Sequence, residues 1–202
     1  MLTVRVALTL NIDMTKTNSN GLPDIYLLTM GGTIDKDYPR LTSGYAFEFG
    51  DESAGERILS THPNLGISYE VTSICKKDSL EVTDEDRKLL ADAIARILEQ
   101  RQCFVRFVVT HGTDTMVETA QYIQNCLEKN LDNFKPPFVI SFTGATKPER
   151  FIDSDASFNV GCAVAATSAC NPGSVVICMN GNVIPAESCV RDEKTGLFCR
   201  KE

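Results

Sequence analysis

The chain has 202 residues, 43% of them hydrophobic and 23% charged, with a formal net charge of −7 and a sequence pI near 4.9. These totals suit one soluble globular domain with a substantial core. They argue against a nucleic-acid partner, whose phosphates call for clustered Lys and Arg, and no apolar run approaches the roughly 20 residues of a membrane span.

Residues 1–10, MLTVRVALTL, carry a charge inside an apolar run and no small-residue cleavage site after it. They read as an added strand or vector-derived sequence rather than a signal peptide. The polar stretch DMTKTNSNGLPD (13–24) is a linker, so residues 1–24 form an extension and 25–202 the main domain. IYLLTM (25–30) is a short continuous apolar run, the pattern of a strand buried on both faces. GISYEVTSI (66–74), rich in β-branched and aromatic residues, predicts a second strand. TDEDRKLLADAIARILEQ (83–100) predicts a helix: Thr83 is placed as N-cap, Asp86 completes a capping-box pair, and Leu90, Ile94, Ile97 and Leu98 form the buried stripe.

CFVRFVVT (103–110) predicts a strand, TMVETAQYIQNCLEKN (115–130) a helix with Met116, Ala120, Ile123 and Leu127 on one face, and PFVISF (137–142) another strand. FNVGCAVAATSAC (158–170) predicts a helix of small residues and SVVICMN (174–180) a last strand. Strands alternating with helices of this length predict an α/β fold: a doubly wound, mostly parallel sheet in three layers, Rossmann-like or flavodoxin-like, in a single domain.

The eight cysteines include no Cys-x-x-Cys, and His62 and His111 are the only histidines, so no metal-ligand spacing exists and no cofactor is expected. Several cysteines lie within apolar runs, which reads as reduced thiols of a cytoplasmic protein.

Ligands of open parallel sheets sit beyond the carboxyl ends of the strands, and three predicted strand ends carry similar cargo: TMGGTID (29–35), THGTDTM (110–116) and TGATKPER (143–150). Each opens with Thr, brings a Gly and supplies short polar side chains. Glycine lets a ligand approach the backbone and leaves its N–H groups free to donate. Thr33, Thr113 and Asp114 are therefore expected to share one crevice. Taken singly, Thr33 reads as a turn or cap residue, Asp114 as a helix N-terminal acid, Ser79 as a solvated loop residue and His111 as a structural hydrogen-bonding group.

TMGGTID and VVTHGTDTMVETA (108–120) resemble the two signature motifs of the bacterial-type L-asparaginase family. FTGATKP (142–148) resembles that family's third loop, and DSLEVTDED (78–86) its Asp-Ser-x-x-Met-Thr stretch, so the likeness runs from about residue 25 to 190. The resemblance implies a hydrolase that removes the side-chain amide of asparagine without metal or cofactor. It assigns Thr33 as nucleophile, Thr113 and Asp114 as its catalytic support, Asp114 also to the substrate's α-amino group, and Ser79 to its carboxylate. Gly32, Gly112, Thr113 and Ala145 would line the pocket and offer backbone donors.

The chain departs from the family pattern in four places. Anchored on Val190, the position of the family's relay Lys falls at Asp192, with Arg191 before it and Lys194 two residues on. Phe47 stands where the loop Tyr is expected, with Tyr38 and Tyr45 nearby, and Leu80 replaces the Gln after Ser79. Only the family's N-terminal catalytic domain is expected here. Family members pair through large surfaces, so the resemblance also implies a homo-oligomer. A second reading is a domain of the same fold that binds an amino acid without turning it over.

Overall fold

Five apolar runs that alternate with helices bury their faces only if the helices cover a sheet on both sides. The computed structural model describes residues 22–38, 47–62, 64–129 and 137–201, and within them that arrangement is found. In chain order the elements are β1 (Ile25–Gly31), β2 (Lys36–Asp37), β3 (Glu48–Phe49), α1 (Ala54–Ser60), β4 (Tyr69–Lys77), α2 (Asp84–Gln100) and β5 (Val105–Thr110). They continue with α3 (Met116–Glu128), β6 (Phe138–Thr143), α4 (Ala156–Ala169), β7 (Val175–Met179), β8 (Asn182–Pro185), β9 (Cys189–Arg191) and β10 (Phe198–Arg200). The expected strand at residues 1–10 lies outside the described residues.

The main sheet runs β4–β1–β5–β6–β7–β8, with the first five strands parallel and β8 antiparallel to β7. Counting only the parallel strands, this is the flavodoxin-like order 2-1-3-4-5, which reverses direction between β1 and β5. Two small antiparallel pairs, β2 with β3 and β9 with β10, stand apart from it.

Side-chain alternation sorts the core into two layers. On one face Tyr26, Leu28, Met30, Phe107, Val109, Ile140 and Phe142 pack with Leu90, Ile94 and Leu98 of α2 and the whole predicted stripe Met116, Ala120, Ile123 and Leu127 of α3. On the other, Ile25, Leu27, Val108 and Val176 pack with Ile58 of α1 and Ala156, Val160, Ala163 and Ala166 of α4. Each fully buried Leu or Ile contributes about 1.5–3 kcal/mol. The capping box forms as predicted: Thr83 accepts from the Asp86 N–H, and the Asp86 carboxylate accepts from the Thr83 N–H at 2.8 Å.

Beyond α1 and the short strands β2, β3, β9 and β10, for which the sequence reading predicts no element, two parts of the main sheet differ from that reading. The strand expected at 66–74 is β4, shifted three residues toward the C-terminus. A clasp fixes where it begins: Ser68 N–H and Oγ each donate to the Asp24 carboxylate at 2.7 Å, joining the starts of β1 and β4. Because β4 is an edge strand, it can run on through Lys76 and Lys77. The second difference is the β7–β8 hairpin, which reverses at Asn180 (φ 54°) and Gly181 (φ 75°), an Asn-Gly pair suited to a two-residue turn.

All eight cysteines are free thiols; Cys178 and Cys189 are buried, while Cys103 and Cys199 are exposed. Among the described residues no helix is long and apolar enough to cross a membrane, and no group of His, Cys, Asp or Glu side chains is arranged to hold a metal ion.

Candidate active site

β1 and β5 are neighbours at the switch point, so the loops leaving their carboxyl ends must meet. They meet through glycine. Gly32 adopts φ 88° and ψ 179°, a conformation essentially restricted to glycine, and a Cβ placed on it would stand 2.3 Å from Cα and N of Gly112. The two backbones are thus in direct contact, which brings the half-buried Thr33 and the buried Thr113 to one end of the sheet. Thr33 opens a short 3-10 turn, Thr33–Asp35, for which Gly32 is the N-cap, so it is not itself the capping residue.

A third loop docks on the same place. The turn Ser79–Glu81 precedes α2, and Ser79 is 3% exposed. A Cβ on Gly112 would stand 2.5 Å from Cβ of Ser79, so Gly112 is what lets this turn approach. Ser79 Oγ accepts from the Asp114 N–H at 3.0 Å and donates to Asp114 Oδ2 at 3.1 Å, and Thr115 Oγ1 donates to the Ser79 carbonyl at 2.6 Å. Asp114 therefore does not cap α3; Thr115 holds the N-cap position, and its hydroxyl is spent on Ser79.

The loop after β6 completes the floor. A Cβ on Gly144 would lie 2.4 Å from the His111 carbonyl, the Gly144 carbonyl accepts from Asn159 Nδ2 at 3.0 Å, and Ala145 is buried in one cluster with Ile34. The Glu149 N–H donates to the Ile34 carbonyl at 3.2 Å and ties this loop to the Thr33 turn.

A cation reaches the cluster from β9: Arg191 Nη1 donates to Asp114 Oδ1. This corrects the register read from the sequence. Asp192 instead caps the β9–β10 turn, its Oδ1 accepting from the N–H groups of Lys194 and Thr195 at 2.9 and 2.7 Å, and Lys194 is exposed on that turn. Among the described residues no lysine ammonium hydrogen-bonds to Thr113. Tyr38, 59% exposed, stacks on Phe151 and packs against Phe47, while Tyr45 lies outside the described residues. Leu80 is 79% exposed.

Two buried ionisable groups flank the site. Asp35 accepts from the Ala54 N–H at 2.6 Å, and burial pushes its carboxyl up to about 6, against the opposing pull of that bond, Arg57 and Lys76. Burial holds the His111 imidazole down at about 4. Its Nδ1 lies 2.8 Å from the Gly112 carbonyl, which assigns the proton to Nδ1 of a neutral ring.

The family model described as "Asparaginase, N-terminal" matches residues 24–197. The chain belongs to the asparaginase family. L-asparaginase 2 of Escherichia coli is 33% identical over 181 residues, covering 87% of this chain and 48% of that protein. The D subunit of glutamyl-tRNA(Gln) amidotransferase from Archaeoglobus fulgidus is 29% identical over 170 residues, covering 80% of this chain and 36% of its own. The thermostable L-asparaginase from Thermococcus kodakarensis superposes with a TM-score of 0.69 at 21% identity, over 87% of this chain and 50% of that one. The chain thus spans about half the length, or less, of the asparaginase-family proteins it matches.

Sequence reasoning passed over Asp35 and gave Arg191 no part in the site. The carboxylate of GGTID had a readable signal, since it sits beside the apolar Ile34 within five residues of the buried run IYLLTM. Arg191 had none, because a hairpin 77 residues away folds it over Asp114.

Proposed function

We propose that this domain is an asparaginase-like amidohydrolase in which Thr33 attacks the side-chain amide of asparagine or a small related amide. The observation that carries the reading is the Gly32–Gly112 contact, which joins the loop bearing Thr33 to the loop bearing Thr113 and Asp114. In this reading Thr33 Oγ1 adds to the amide carbon, ammonia leaves, and water opens the acyl-enzyme to release the acid. Thr113 and Asp114 support the nucleophile. Ser79, whose hydroxyl already bridges to Asp114, sets the orientation of that carboxylate. Backbone groups of Gly32, Gly112, Thr113 and Ala145 shape the pocket and supply donors to the developing oxyanion. The chemistry needs no metal or organic cofactor, and copies of the chain pair, as the family resemblance implies.

Purified protein should release ammonia from such an amide, and Thr33→Ala should lower the rate by at least 100-fold, a conservative expectation for loss of a covalent nucleophile. Equal rates in the two proteins would refute the role of Thr33.

A specific observation favours a second reading. Arg191 stands on Asp114, and a guanidinium does not give up its proton. A site supported only by that cation binds its ligand without efficient turnover, and the same assay separates the two readings.

A further inference from the structure

A second cavity opens at the end of the sheet away from Thr33, where β1 and β5 begin. It measures about 190 Å³, and Pro23, Tyr26, Arg101, Cys103, Phe104 and Arg106 are among the residues that line it. One water occupies about 30 Å³ of liquid, so the space admits a small organic ligand. Two cations reach it from opposite faces of the sheet. Arg101, which closes α2, lies over the Tyr26 ring at 5.4 Å, on the face covered by Leu90 and Ile94. Arg106 lies over the Phe104 ring at 5.7 Å, and alternation along β5 puts it on the face of Val108.

Among the described residues neither guanidinium makes a hydrogen bond or an ion pair. The acids nearby leave both unmatched. Asp24 accepts from the Ser68 N–H and Oγ at 2.7 Å each, and Glu70, beside Tyr26 on β4, draws on Arg101 without closing an ion pair. The cavity wall also holds the Tyr26 hydroxyl, which is buried and has no hydrogen-bond partner among the described residues. Arg101 attracts the phenol oxygen, but a guanidinium carries only donors, so the phenolic proton still lacks an acceptor. Buried hydroxyls of native folds normally find one. On a chain of net charge −7, the wall thus gathers unmatched donors and unpaired positive charge.

We infer that this cavity is a second binding site, apart from Thr33, for a short dicarboxylate whose two ends are held one by Arg101 and one by Arg106. The planar fork of a guanidinium matches a carboxylate edge. Cations set on opposite faces of the sheet call for two separated charges rather than one. Binding here needs no reaction at Thr33, so the site goes beyond the amidohydrolase reading and does not rest on it.

Cys103 reports occupancy, because its exposed thiol lines this cavity, whereas the exposed Cys199 lies elsewhere, on β10. The whole chain is alkylated with iodoacetamide, a neutral reagent, at constant ionic strength, and peptide mass spectrometry gives the rate at each cysteine. Glutarate should slow Cys103 saturably, by about tenfold at ten times its dissociation constant, and leave Cys199 unchanged. Acetate and inorganic phosphate at the same concentration should protect far less. Arg101→Met and Arg106→Met break no ion pair, and each should raise the glutarate needed by at least about tenfold, the loss of one charge-assisted contact. No saturable slowing of Cys103, equal slowing by acetate or phosphate, or equal slowing of Cys199 would overturn the proposal, and none of these results depends on a variant folding. Protection that survives either substitution would overturn it as well.

Discussion

Asp35→Asn should make the protein more stable at neutral pH. The carboxyl is 6% exposed, and its one hydrogen bond in the fold is accepted from a peptide N–H, that of Ala54, which an Asn oxygen accepts equally well. Burial raises the carboxyl from its ordinary 3.8 to about 6. A group that holds its proton more tightly folded than unfolded contributes stability below the unfolded value and loses it as pH rises through the folded one. The loss is complete above pH 6 and amounts to about 3 kcal/mol at 1.36 kcal/mol per pH unit. His111 works in the opposite sense. Its ring is held neutral down to about 4, so it contributes stability above the ordinary 6.5 and loses it as pH falls toward 4. Between pH 4 and 6 the two contributions oppose each other. Asp35→Asn removes one of them. Its advantage over unmodified protein should be near zero at pH 4 and about 3 kcal/mol at pH 7, raising the melting midpoint there by about 6–12 °C for a chain of this size. Urea or thermal unfolding at half-unit pH steps measures the difference. A variant less stable than unmodified protein at pH 7 would refute the reasoning, because it would mean that the attraction of Arg57 and Lys76 for the ionised carboxylate outweighs the cost of burying it.

Two glycine substitutions should move in opposite directions. Gly32→Ala forces a side chain into a glycine-only conformation and onto the Gly112 backbone at 2.3 Å. It should cost at least about 3 kcal/mol, seen in the unfolding midpoint or as failure to fold. Gly161→Ala, inside α4 with nothing within 4 Å of the added Cβ, should stabilise by about 0.5–1 kcal/mol through helix propensity. A stabilised Gly32→Ala would mean that the Gly32–Gly112 contact is not the constraint described, and a Gly161→Ala as damaging as it would mean that the α4 position is not open.

The layers of the fold were legible because their signals are local. Continuous apolar runs mark β1, β5, β6 and β7 whatever their neighbours do, and the Thr83–Asp86 capping box fixes the start of α2 within one turn. The fold class followed from the alternation of elements and the three motif loops from their Thr and Gly residues, while the choice between the Rossmann-like and flavodoxin-like strand orders did not. What was illegible depended on distant partners: the start of β4 is set by Asp24, 44 residues before Ser68, and Arg191 meets Asp114 across 77. The Asn180-Gly181 pair of the β7–β8 hairpin is a local turn signal that the sequence carries in plain view.

The Ser79 bridge has a consequence for how the pocket comes into being. Its hydroxyl meets residue 114 across 35 positions, and the peptide of Gly32 rests on that of Gly112 across a larger separation still. A short peptide carrying either motif would display the right letters and no hollow. These contacts exist only once β1 and β5 lie side by side, so the reaction proposed at Thr33 would be an all-or-none readout of the assembled sheet.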